Sequence, residues 1–273
     1  MTIQNQIGLI VYGKINKKVN FLVSRIPYLR EVRNLYLFAA ILMLLSSCGH
    51  LKDLPYQSRG TVVNLTRKNL TEVPEFIFED TTITVLRLYG NHIDSIPEAI
   101  GNLKNLEKLF LGKNDLKTLP ASIGELKKLR ILSVQYNELD SLPNEIGEMS
   151  ALQQLSLNQN QLTSLPDSIG NLKNLELLEL NFNSLDTLPP SLTECSSLKF
   201  LHLNRNNIRT LPANMNKLKY LRELYLAGAG PLLFVPENIC DLRYLEILEV
   251  DRTTNLPPCV VVLQTNRLSL ILR

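Results

Sequence analysis

Apolar and polar positions along this chain recur at one fixed interval, the distance from Asn91 to Asn114. Asn91, Asn114, Asn137, Asn160, Asn183 and Asn206 keep that step, and so do Pro97, Pro120, Pro143, Pro166, Pro189 and Pro212. An aliphatic column, Leu88, Leu111, Val134, Leu157, Leu180 and Leu203, runs in phase with both. Three columns locked together over several periods mark an array of like units, each too small to bury a core alone. One unit, residues 97–119, reads PEAIGNLKNLEKLFLGKNDLKTL. Its alternating Leu109 and Leu111 point to one side of a short strand. Stacking of units then merges the Leu positions into one core. The same pattern predicts strands near 62–66, 85–89, 108–112, 131–135, 154–158, 177–181, 200–204, 223–227 and 247–251, with a tenth, edge strand around Leu268, Leu270 and Ile271 or Leu272. Between strands, Pro97 to Leu106 suits a short helix or 3-10 turn, with Pro at the start and Ile100, Leu103 and Leu106 evenly spaced after it. Gly101, Gly124, Gly147 and Gly170 fall where a side chain would crowd the next unit.

The general form LPxxIGxLxxLxxLxLxxNxLxx resembles the leucine-rich-repeat family, in its 23-residue class, over about residues 60–265. The resemblance implies an α/β solenoid: a curved parallel sheet on the concave face, with short helices or 3-10 turns on the convex face. It also implies a non-catalytic scaffold for a protein or peptide partner. The Asn column is expected to be structural, since a primary amide supplies donors and an acceptor to the backbone of adjacent turns. The pattern lapses toward the ends. Lys68, Ala229 and Thr253 take the Asn position in the first unit and the last two. The unit from Pro212 is longer than the others by a single position, reaching Pro236 through an irregular Gly228-Ala229-Gly230-Pro231 turn.

The N-terminus follows different rules. Positions 35–47 form a short apolar run behind Arg30 and Arg33. A bilayer span needs about 20 residues, whereas the core of an export signal needs roughly 7–15. The run is too short for the first and suits the second. Leu45-Ser46-Ser47-Cys48 closes it and resembles the lipobox of a bacterial lipoprotein, which implies lipidation of Cys48 after cleavage. Gly49 follows the Cys, which in the sorting rule this resembles favours the outer membrane of a diderm host. A long stretch, from Met1 to Leu29, precedes Arg30, and translation is expected to start nearer Leu29 or Val32. The chain is therefore expected to comprise a leader (1–47), a lipidated Cys and tether (48–59) and a repeat domain (60–273). The alternatives are a cytoplasmic leucine-rich-repeat adaptor in signalling and a glycan-binding surface lipoprotein.

Charge changes meaning once the leader is set aside. Positions 1–47 hold six basic residues and one acid; removing these from the chain's 29 basic and 26 acidic residues leaves 23 and 25. The body is slightly acidic and shows no basic stripe, so nucleic acid is not an expected partner. Three His are scattered at positions 50, 92 and 202. No His, Cys or carboxylate cluster has metal-ligand spacing, and no nucleophile or phosphate-loop motif occurs. Catalytic residues, metals and cofactors are not expected. Cys195 stands in a Leu column and is expected to be a buried thiol. Cys240 and Cys259 fall in consecutive units where a disulfide would be tolerated outside the cytosol.

The outward strand positions give the candidate partner surface: Arg87, Tyr89, Phe110, Lys113, Tyr136, Phe182, His202, Arg205 and Tyr225 on the concave face. They come from the strand-centre column and from the columns two and three positions later. The aromatics among them are expected to be exposed, between Asn158, Asn181, Asn204 and other amides of the same face. These amides suit solvation and binding equally. The column step sets His202 between Glu179 and Tyr225.

Overall fold

A computed structural model describes residues 62–231, 235–266 and 268–273. The leader, Cys48, His50 and the tether lie outside the described residues. The body is an open sheet of ten parallel strands in chain order. These are β1 (Val62–Asn64), β2 (Val85–Arg87), β3 (Lys108–Phe110), β4 (Ile131–Ser133), β5 (Gln154–Ser156), β6 (Leu177–Glu179), β7 (Phe200–His202), β8 (Glu223–Tyr225), β9 (Ile247–Val250) and β10 (Ser269–Leu272). Leu86, Leu109, Leu132 and Leu155 are register partners across β2–β5 and are fully buried. The tenth strand is present and pairs with β9.

Most strands are shorter at their C-terminal ends than the alternation predicts; β3 stops at Phe110, not at Gly112. Inter-strand hydrogen bonding does continue: Leu88 N–H donates to Phe110 and Gly90 N–H to Gly112. The chain then turns into the left-handed region, with Lys113, Tyr136, Gln159, Phe182 and Arg205 at φ between 55° and 58° and Gly90 and Gly228 at 73° and 62°. A residue in that conformation cannot extend a strand.

The connections return through 3-10 turns such as Glu98–Asn102 and Ala121–Glu125. Ile100 N–H bonds to Pro97, Leu103 N–H to Ile100 and Leu106 N–H to Leu103. An apolar spacing of three matches the three-residue period of a 3-10 helix and would drift off one face of an α-helix. At Gly147 an added Cβ would fall far inside contact distance of the Ser168 carbonyl and Cβ of the next unit. Thr193 fills this glycine column, and the turn packed against it shrinks to Met215–Lys217.

In the last turn both partners of this contact are cysteines. Cys240 occupies the glycine position and Cys259 the facing one. They form a disulfide with Cα atoms 6.2 Å apart, which fastens α1 (Pro258–Asn266) to the Glu237–Asp241 turn. Cys195 is buried, its thiol donating to the Ile169 carbonyl, and burial pushes its pKa up to about 12.

The asparagine column forms a continuous ladder. Asn137 Nδ2 donates to the carbonyls of Leu111 and Val134, and its Oδ1 accepts from Leu116 N–H. Asn160 does the same one unit later, with Val134, Leu157 and Leu139. Each intervening carbonyl therefore receives two amides: Leu111 from Asn114 and Asn137, Val134 from Asn137 and Asn160. The ladder runs from Asn91 to Asn206. Beyond it, Ala229 lacks the side chain, and its own carbonyl accepts the Ile208 N–H that an asparagine Oδ1 would have taken. That substitution brings backbone against backbone. An added Cβ on Gly230, at φ 128°, would stand 2.5 Å from the Asn207 carbonyl carbon and the Ile208 nitrogen.

Two outcomes are expected from these contacts. Asn137→Ala orphans the Leu116 N–H and strips one donor from each of two carbonyls, and should cost about 2–4 kcal/mol in denaturant unfolding. Asn137→Asp keeps the acceptor but turns an oxygen toward both carbonyls, and should cost at least as much as the alanine.

Candidate binding surface

Two outward positions flank the buried strand centre. Arg87, Phe110, Ser133, Ser156, Glu179, His202 and Tyr225 stand at the strand ends in consecutive register. At the strand starts lies a second outward column, Val85, Lys108, Ile131, Gln154, Leu177, Phe200 and Glu223, in the same registers. Sequence reasoning misses this column. Its alternation is legible, but aliphatic residues beside a core Leu look like core; here Ile131, Leu177 and Phe200 are half-buried on the sheet face.

Lys113, Tyr136, Phe182 and Arg205 sit elsewhere than expected. They occupy the left-handed positions just past the strands, not the sheet face itself. Holding a non-glycine residue there costs about 1–2 kcal/mol. Tyr136 and Phe182 are 48% and 44% exposed, and the Arg205 guanidinium lies 4.9 Å over the Phe182 ring. Tyr89, Phe110 and Tyr225 are half-buried rather than exposed. Neighbours explain this: Arg87 covers Phe110 at 5.5 Å, and Tyr89 leans over Gly112, where an added Cβ would be 3.0 Å from its ring.

The amides of the face are committed to the backbone. Asn158 Oδ1 accepts from Asn181 N–H, Asn181 Oδ1 from Asn204 N–H, and Asn204 Oδ1 from Ala227 N–H. This second ladder runs alongside the first and satisfies strand-exit N–H groups.

His202 lies in the most polar part of the surface. Its Nδ1 is 3.8 Å from Glu179 Oε1 and its Nε2 3.9 Å from Glu223 Oε2, while Tyr225 meets the imidazole edge-on at 4.7 Å. The Nε2 is sealed from solvent without a hydrogen-bond partner. His202 holds the Glu179 carboxyl below its usual range, aided by a 2.5 Å hydrogen bond from Ser156 and opposed by partial burial. Burial, then Glu223, pushes Tyr225 upward. Glu249 is buried and paired with Arg273 Nε at 2.5 Å. The arrangement can accept a cation or a hydrogen-bond donor. Both imidazole contacts exceed hydrogen-bond length, and the close contact of this group is the Ser156 hydroxyl donating to Glu179. Among the described residues no group of three or more His, Cys, Asp or Glu could hold a metal ion. Two hollows, about 510 Å³ beside Cys259 and about 450 Å³ among Pro189, Pro190 and Pro212, lie away from the sheet face.

Comparison with known proteins fits this geometry. A family model described as a leucine-rich repeat region matches residues 31–163. Comparison of the sequence with curated proteins gives no match. Among solved structures, the chain is similar to the leucine-rich repeat domain of the type III effector XopL, at 26% identity and a TM-score of 0.69, covering 86% of this chain and 81% of that one. It is similar to a leucine-rich-repeat protein of Leptospira interrogans at 26% identity and a TM-score of 0.51, covering 82% and 76%. It is also similar to the plant peptide hormone receptor RGFR1, solved in complex with RGF2, at 27% identity and a TM-score of 0.61, covering 69% of this chain. This chain spans only 32% of that receptor's length. With one repeating unit along the body, a parallel strand in every turn and an asparagine ladder joining the units, the chain has the leucine-rich-repeat fold of the proteins it is similar to.

Proposed function

We propose that this chain is an exported scaffold, anchored by lipid at Cys48, that captures a protein or peptide on and beside its open sheet face. The observation that carries the binding reading is the exposure of Tyr136 and Phe182. Both are large aromatics held in left-handed conformations at the edge of a rigid sheet. Exposure of such rings costs solubility, and a left-handed backbone costs stability; a partner that buries the rings offsets both. The complex of RGFR1 with RGF2 supports a peptide-sized partner for a surface of this kind.

The anchoring reading rests on the apolar run 35–47 that ends at Cys48. The Cys240–Cys259 disulfide supports it, because such bonds persist in oxidising compartments. Positions 1–47 would be removed, 48–59 would tether the body to the outer membrane, and 60–273 would bind. Two or more acyl chains are needed for stable attachment, since one chain binds a membrane only marginally. Among the described residues no helix is long and apolar enough to cross a membrane.

Two experiments test these readings. Radiolabelled palmitate fed to bacteria making the full chain should enter the wild type and not Cys48→Ala; an unlabelled wild type rules out the lipid anchor. Tyr136→Ser combined with Phe182→Ser should reduce capture of a partner from the native host at least tenfold. Thermal unfolding should change little, because both side chains are solvent-facing. Unchanged capture would show that the partner docks elsewhere.

A further inference from the structure

Charges on the sheet face are segregated along the solenoid. Toward β1–β3 the face carries Arg87 and Lys108, with Arg67 and Lys113 just past the strand exits, and no acidic residue stands among the outward positions of those strands. The outward positions of β4 and β5 carry no charge: Ile131, Ser133, Gln135, Gln154, Ser156 and Asn158. Carboxylates then appear at Glu179 on β6 and Glu223 on β8. Elsewhere this protein pairs its charges from unit to unit: Lys104 with Glu125, Lys127 with Glu148 at 2.8 Å, Lys199 with Glu176 at 2.9 Å and Lys217 with Glu194 at 2.6 Å. Among the described residues none of these four cations has an ion-pair partner, and Glu223 lies beside Tyr225 and 3.9 Å from His202. Glu249 and Asp251 are already committed, to Arg273 and to the Gly228 N–H. Arg205 is stacked on Phe182 at the strand-exit edge.

We infer that the partner is an extended polypeptide segment lying across the strands, acidic where it crosses β2–β3 and basic where it crosses β6–β8. The inference rests on the sheet-face reading above and specifies its partner. Adjacent strands are about 4.8 Å apart, so Lys108 to Glu179 spans about 14 Å and Arg87 to Glu223 about 29 Å. An extended chain advances about 3.4 Å per residue, which sets the partner's opposite charges roughly four to eight residues apart. The middle of the segment crosses the uncharged β4 and β5, over Ile131, Ser133 and Ser156, while half-buried Leu177 and Phe200 on β6 and β7 lie beneath its basic end. Complementary ends would fix register and orientation more than they raise affinity.

Random twelve-residue peptides displayed on phage and panned against the purified full chain test this. The wild type should enrich clones with an acidic and a basic residue four to eight positions apart. Glu179→Lys with Glu223→Lys should enrich uniformly acidic clones, and Arg87→Glu with Lys108→Glu uniformly basic ones. A wild-type clone should lose at least tenfold in binding to either reversal. Thermal unfolding checks that each variant folds; Glu179→Gln with Glu223→Gln, which only removes charge, replaces the lysine pair if that pair is unfolded. Clones whose charges ignore the reversals, yet which Tyr136→Ser with Phe182→Ser abolishes, overturn this inference and leave the sheet-face reading standing. Clones insensitive to every one of these variants, or no clones at all, overturn both. A salt-labile dimer in light scattering, lost in either reversal, assigns the charged ends to a second copy and overturns the peptide inference.

Discussion

Every unit of this solenoid must turn its backbone out of the sheet while still inside the core, and the asparagine ladder is what makes that turn tolerable. A buried carbonyl or N–H without a partner costs on the order of 1–3 kcal/mol. Asn137 answers three such groups, in two units, with one side chain. Because each carbonyl is shared by successive asparagines, the network is continuous and no unit owns its own stability. Repeat proteins of this kind draw stability from neighbour interfaces as much as from the single unit. The glycine column acts on the opposite flank, letting 3-10 turns approach until Gly147 touches the backbone of Ser168.

The same two columns explain how the array ends. At Ala229 the ladder stops, and a main-chain carbonyl replaces the missing amide oxygen. That replacement requires the close approach that Gly230 permits. At Cys240 the glycine contact is exchanged for a covalent bond to the cap helix. An irregular turn and a disulfide are thus the two columns continued by other chemistry, where the regular units give out.

Much of this is legible in the sequence, because it rests on periodic burial. Leu109, Asn114 and Pro120 announce strand, ladder and turn by residue type and spacing, and the two late cysteines fall on the contact where they pair. The left-handed column is not legible in the same way. Tyr136, Phe182, Lys113 and Arg205 carry no sequence mark of positive φ, and only Gly90 and Gly228, in the same column, hint at it. The amides of Asn158, Asn181 and Asn204 suit solvation and binding equally on sequence grounds, and in the structure they serve the backbone. Ile131 and Phe200 escape notice because residue type alone does not separate an aliphatic face from an aliphatic core. These differences relocate the candidate site. It is less a carpet of amides than an apolar strip with exposed rings along one edge, cations without ion-pair partners at one end and carboxylates around His202 at the other.

The central claim is that side-chain amides hold irregular backbone as firmly as strands hold each other. Native-state hydrogen exchange on Leu116, Leu139, Leu162 and Leu185 measures it directly, since each of these amides lies outside any strand and donates only to an asparagine Oδ1. The account predicts opening free energies close to those of the strand amides of Leu132, Leu155 and Leu178. Exchange at these positions as fast as in the exposed turns would contradict it.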